Sequence, residues 1–176
     1  MKNKQYYTNR QRHVFDTDNL IAYAYRTRKY FINCKHAIDI GCGIGYQFKQ
    51  IALLNSNCYF DLLDKTGDEA STGYTLNGYT HNDLTLTREY TQNLNCTVHN
   101  VDEYNWDNLA DIVYSTLSWG WHYPLEVYLD NVLALQPRYI IFDNRLQDTI
   151  DIHNYELIDN FRINRKELTQ VYEFIL

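Results

Sequence analysis

AIDIGCGIGYQF, residues 37–48, runs from an apolar stretch straight into three glycines within five positions, Gly41, Gly43 and Gly45. The whole chain has only seven glycines in 176 residues, so this concentration has a cause. HAIDI (36–40) is short, apolar and β-rich, as a buried parallel strand is. YQFKQIALL (46–54) has the length of a helix. The pattern therefore predicts a strand, a tight turn and a helix. One or two glycines suffice for such a turn, and a third implies that something approaches the backbone closely. In open α/β sheets ligands bind at this place, outside the carboxyl ends of the strands.

Working outward, four more apolar runs read as strands: CYFDLLD (58–64), CTVHNVD (96–102), DIVYSTL (111–117) and RYIIFD (138–143). Helix-length stretches lie between them. NDLTLTREYTQNL precedes the third strand, and Pro124 and Pro137 bracket PLEVYLDNVLALQ, where Leu125, Leu129, Val132 and Leu133 keep helical spacing. Strand–helix alternation predicts an α/β, doubly wound, mostly parallel sheet. The last segment, YELIDNFRINRKELTQVYEFIL, offers two strands, about 155–163 and 168–176, joined by the polar turn NRK as an antiparallel hairpin. That makes seven strands. DTDNLIAYAYRTRKYF reads as a helix leading into the first of them, and residues 1–176 read as a single domain.

The dinucleotide fingerprint G-x-G-x-x-G does not fit, because Tyr46 stands where its third glycine belongs. Asp39-Ile40-Gly41-Cys42-Gly43-Ile44-Gly45 resembles motif I of the class I, Rossmann-like S-adenosylmethionine (SAM)-dependent methyltransferases, whose pattern is acidic-x-G-x-G-x-G. The order of elements resembles that family over most of the chain. The resemblance implies SAM as cofactor and a binding set carried residue by residue. Asp39, Gly41, Cys42, Gly43 and Gly45 would form the bend, with Asp39 orienting its amides or meeting the ligand's ammonium group. Asp64, nineteen residues beyond Gly45, would accept both ribose hydroxyl protons, with Lys65 beside it. Asp102 would accept from the adenine amino group. Leu117 and Ser118 would lie beside the methionine part. Each acid could instead be a helix cap or a solvated strand end.

The methyl group would face LSWGWHYP (117–124). Transfer is an in-line displacement that needs the acceptor close, aligned and dry. Trp119, Trp121 and Tyr123 are candidate walls, with Gly120 bending the chain between them, although plain core packing explains any one of the three. His122 has an ordinary pKa near neutrality and is the candidate general base, with Tyr123 beside it. Placed just before Pro124, it could equally hydrogen-bond the helix start. Departures from family patterns narrow the acceptor. The (N/D)PP(Y/F) segment of methyltransferases acting on DNA exocyclic nitrogens is absent. Asp143-Asn144 matches half of the metal pair of the metal-dependent O-methyltransferases, while Ser118 and Trp119 stand where the other half belongs. A lone Asp-Asn holds magnesium poorly, so no metal is expected. Tyr79-Thr80-His81-Asn82-Asp83-Leu84 and SWGWHYP resemble small methyltransferases assigned to sugars. A hydroxyl on a sugar or other small molecule is the expected acceptor.

Charge bears on the alternatives. The chain carries a net −6, but residues 1–35 hold eight Lys/Arg against two Asp. The remainder holds eight Lys/Arg against twenty acids. Such an acidic body argues against a broad grip on nucleic acid. The basic front reads either as a solvated helix or as a lid that draws an anionic acceptor. No apolar run has the length to span a bilayer and the start lacks a secretory apolar segment, so a cytoplasmic location is expected. Cys34, Cys42, Cys58 and Cys96 are far apart in sequence, which gives no support to a zinc site or a redox dithiol. Three other readings remain at this level: a SAM-binding protein without transfer activity, a nucleic-acid methyltransferase, and a nicotinamide oxidoreductase.

Overall fold

Seven strands form one sheet in the order β3-β2-β1-β4-β5-β7-β6. They are β1 (His36–Ile40), β2 (Tyr59–Asp64), β3 (Cys96–Asn100), β4 (Ile112–Ser115), β5 (Tyr139–Asn144), β6 (Tyr155–Phe161) and β7 (Leu168–Phe174). The structure, a computed structural model, describes residues 17–65, 84–121, 123–144, 150–163 and 168–175. β1 to β5 are parallel, with Ile38 level with Asp61 on β2 and Val113 on β4. β7 runs antiparallel between β5 and β6. The expected doubly wound sheet with a final antiparallel pair is therefore present.

Side-chain alternation divides the core between two faces. Ala37, Phe60, Leu62, Ile112, Tyr114, Ile141 and Val171 meet Tyr23 and Ala24 of α1 (Thr17–Thr27), Phe48 and Ile51 of α2 (Tyr46–Leu54) and Leu84 of α3 (Leu84–Thr91). On the other face Ile38, Ile40, Leu63, Val113, Ile140, Phe142 and Tyr172 pack with Trp119 and with Val132 and Leu135 of α4 (Leu129–Leu135). α1 is tied down at β6, where Asp159 accepts from Tyr30 Oη (2.6 Å) and pairs with Lys29 (3.0 Å) and Arg26 (3.4 Å).

Two expectations from sequence need correction. The helix between the prolines is not continuous: a 3-10 turn at Leu125–Val127 is separated from α4 by Tyr128. Pro124 is extended, with ψ 148°, and the Leu125 carbonyl accepts from the Trp119 indole at 2.8 Å and from Tyr128 N–H at 3.3 Å. A side-chain bond from an indole six residues back has taken the acceptor that an uninterrupted helix would need. The cysteines also are not all apart, since Cys34 and Cys58, just ahead of β1 and β2, bring their sulfurs to 2.8 Å.

A polar cluster joins the three strands at one side of the sheet. Asp61, 4% exposed, takes His36 Nε2 (2.9 Å) and Tyr104 Oη (2.7 Å) on Oδ2 and His99 Nε2 (2.8 Å) on Oδ1. His36 Nδ1 meets the Leu109 carbonyl at 2.7 Å. Both of its ring nitrogens therefore face acceptors, which only the doubly protonated imidazolium can satisfy. The bond to Asp61 accordingly raises the His36 pKa. Burial pushes the Asp61 carboxyl up, but bonds from His36, Tyr104 and His99 outweigh it and hold the group below its usual range.

Candidate cofactor site

The bend after β1 is built as its glycines demand. Gly41, Gly43 and Gly45 have φ of 77°, 57° and 88°, the left-handed region that side chains disfavour. Leu63 O accepts from Gly41 N–H (2.7 Å) and Cys42 N–H (3.1 Å), and Cys42 O from Gly45 N–H (2.9 Å). What approaches two of the glycines is the chain itself. A Cβ on Gly41 would collide with the Ser118 hydroxymethyl group, and one on Gly45 would lie 2.9 Å from Thr91 Cγ2 of α3. The bend is thereby wedged between the β4 loop and α3, and Thr87 Oγ1 donates to Gly43 O at 2.8 Å.

Asp64 points into this bend. Its Oδ2 accepts from Gly43 N–H at 2.7 Å, its Oδ1 from Lys65 N–H at 2.7 Å, and the residue is 5% exposed. Lys65 Nζ reaches Asp102 Oδ1 at 3.0 Å. Asp102 lies not in β3 but in a 3-10 turn, Val101–Glu103, whose second residue it is, with Asn100 Oδ1 accepting its N–H at 3.3 Å. Tyr123 and Tyr128 lie close enough to Asp64 and Asp102 to feel their charge. Burial first, then those carboxylates, raises the pKa of both phenols. Trp106 stacks on Tyr128, with ring centroids 6.1 Å apart and planes 26° from parallel.

Asp39 is 2% exposed, on the face covered by α1. Burial, reinforced by the charge of Asp64 and only partly offset by the Tyr114 hydroxyl, pushes its pKa up to about 8. Nearby, at the end of β4, the Thr116 hydroxyl oxygen is buried with no hydrogen-bond partner. A buried carboxyl held near neutrality and an orphaned hydroxyl are features that a cationic, hydrogen-bonding ligand would relieve.

β4 stops at Ser115 rather than continuing to Leu117, because Leu117 takes φ 54°. Asp143 holds that strained residue, accepting Leu117 N–H at 3.0 Å on Oδ2 and Thr169 Oγ1 at 2.7 Å on Oδ1. Ser115 Oγ donates to Ile40 O (2.7 Å) and accepts Trp119 N–H (2.8 Å), joining the two strand ends. Ser118 O accepts from Trp121 N–H and Tyr123 N–H, both at 3.1 Å. Gly120 has φ 83°, and a Cβ there would lie 2.8 Å from Phe142 Cδ2.

Measured against expectation, the structure brings Asp39, the three glycines, Cys42, Asp64, Lys65, Asp102, Leu117, Ser118 and Tyr123 to the carboxyl end of the sheet. Of the three candidate walls, Trp119 takes the core-packing alternative: it is 0% exposed and packed against Phe142. Trp121 and Tyr123 are half-buried. His122, most of the Tyr79–Leu84 pattern and residues 1–16 lie outside the described residues. The cations at the end of α1 and in the turn after it do not stand free over the bend, since Arg26 and Lys29 bind Asp159 and Arg28 lies over Tyr25. Asp143 and Ser115 were missed as positioning residues, because Leu117, Thr169 and Ile40, which they hold, are remote in sequence. Among the described residues no group of three or more His, Cys, Asp or Glu could hold a metal ion. No described helix is long and apolar enough to cross a membrane.

Comparison with solved structures bears on the fold. Human N-acetylserotonin methyltransferase in complex with SAM superposes with a TM-score of 0.64 over 98% of this chain and 56% of its own, at 8% identity. The fold is that of the class I methyltransferases. The 16S rRNA methylase ArmA shares this class I fold, with a TM-score of 0.57 over 90% of this chain and 83% of its own, at 11% identity. So does the plantazolicin methyltransferase BpumL, in complex with a desmethylPZN analog and S-adenosylhomocysteine (SAH), with a TM-score of 0.52 over 82% and 53% at 18% identity. The chain spans about half the length of the human enzyme and of BpumL. No protein-family model and no curated protein matches the sequence.

Proposed function

We propose that this chain is a SAM-dependent methyltransferase, organised as one domain, that methylates a small-molecule or sugar acceptor at oxygen. The observation that carries the reading is the pair of buried carboxyls, Asp39 and Asp64, on either side of a left-handed glycine bend at the carboxyl edge of β1 and β2. Asp64 and the bend would hold the ribose and methionine ends, Asp39 would face the ammonium group, and Asp102 with Lys65 would flank the adenine. Trp106 and Tyr128 add an apolar wall on that side. Leu117, held by Asp143, and Ser118, packed against Gly41, would border the methionine part. When bound, SAM supplies an electrophilic methyl on sulfur. His122 would take the acceptor proton, and the half-buried Tyr123 would help exclude water.

The neighbours include an rRNA methylase, so the acceptor class is the point to test. Calorimetric titration with SAM and SAH should give binding that Asp64→Ala weakens at least tenfold. Absence of heat with both would end the proposal. Incubation with methyl-labelled SAM and, separately, polar small-molecule extract, glycans and total RNA should label the first or second. Label confined to RNA would overturn the acceptor assignment while leaving the cofactor in place.

A further inference from the structure

We propose that Cys34 and Cys58 are a disulfide-forming pair, a modification site at the amino ends of β1 and β2. Their sulfurs stand 2.8 Å apart, well inside ordinary contact between two thiols, and about 0.8 Å from the length of a disulfide. Both side chains are buried, at 6% and 2% exposure. The backbone already holds the two segments together. Tyr59 N–H donates to Lys35 O at 2.9 Å, and His36 is level with Tyr59 in the parallel pair. Each cysteine lies just before its strand rather than within it, and each caps a turn, Cys34 N–H to Phe31 O and Cys58 N–H to Asn55 O, both at 3.0 Å. The two sulfurs therefore stand this close with the strand ladder intact.

The oxidant is a soluble disulfide such as oxidised glutathione. The thiolate of one cysteine attacks a sulfur of the oxidant, breaking its S–S bond and releasing one thiol, which takes up the proton lost from the protein. The second cysteine then displaces the remaining half from the mixed disulfide. One S–S bond is broken and one formed, and two electrons and two protons pass from the protein to two molecules of reduced thiol. The bond to Cys58, and then burial, push the Cys34 thiol pKa well up. The closed structure is thus slow to react, and exchange needs a local opening or takes place during folding. Once made, the bridge is shielded from reductants by the same burial.

The test is to equilibrate the full chain with oxidised glutathione at several oxidant levels, with and without a short passage through urea, then block free thiols and map peptides without reduction. The expected product is a linked Cys34–Cys58 peptide about 2 Da lighter than the two reduced peptides together, with Cys42 and Cys96 recovered blocked. Oxidation should raise the thermal midpoint by roughly 5 °C or more, as a cross-link of about 25 residues does. Cys34→Ala/Cys58→Ala should show no such rise. Recovery of both cysteines as free thiols or as glutathione adducts after the urea passage, or linkage to Cys42 or Cys96 instead, would overturn the proposal. The site is at the opposite end of the strands from the glycine bend, so SAM binding should be equal in both redox forms.

Discussion

At Asp39 the chain keeps a carboxyl inside its own core with a pKa pushed up to about 8. Carrying that group into the fold at pH 7 costs on the order of 4 kcal/mol, because it must be protonated to enter. A cation bound beside it would reverse the balance and favour the ionised form. Affinity for SAM should accordingly rise with pH up to about 8, and binding at pH 7 should release a proton. Calorimetry in buffers of different ionisation heat reads that release directly. Asp39→Asn should raise the thermal midpoint by roughly 5 °C while weakening SAM binding at least tenfold. A variant that loses both stability and affinity would count against this role. Gly41→Ala tests the wedge on the other side of the bend. The left-handed φ of 77° and the collision with Ser118 together should cost about 3 kcal/mol in urea denaturation. Ser118→Gly in the same chain should recover the part due to the collision and leave the part due to φ.

Among the elements, β1, β2 and β3 are cross-linked by charge as well as by their ladder. His36 has a raised pKa, so its contribution to stability is fully present below its unfolded value of about 6.5 and is lost as pH rises through the folded value. Asp61 is depressed, so its contribution is present above about 3.9 and is lost as pH falls through its folded value. The clamp is therefore strongest in mildly acidic solution. His36→Gln should destabilise the fold by about 2 kcal/mol at pH 5.5 and by clearly less at pH 8.5, as read from denaturation midpoints. Equal losses at both pH values would remove the imidazolium from the explanation. This cluster was illegible in the sequence because its members are 25, 38 and 43 positions apart and nothing local marks them. β1, the glycine bend and α2 were legible to the residue, since their signals are contiguous. The helix between the prolines misled for a different reason: its periodicity was sound, but the Trp119 indole, six residues before Leu125, claimed one of its carbonyls.

For the molecule as a whole, a net charge of −6 and carboxylates gathered around the bend favour a cationic ligand over a neutral one. SAM carries one more positive charge than SAH. Raising salt from about 0.05 M to about 0.5 M should weaken SAM a few-fold and SAH less. Identical salt responses would mean that the sulfonium is not felt by the site. The sheet order has a consequence for synthesis. β7 is the last strand in the sequence, yet it sits inside the sheet, hydrogen-bonded to β5 on one side and β6 on the other. A growing chain therefore releases the apolar run of β5 from the ribosome with one flank bare, and β6 cannot cover it. A chain cut short near residue 163 and released is the species on which chaperones should act, because its exposed edge is ready to pair with a stranger.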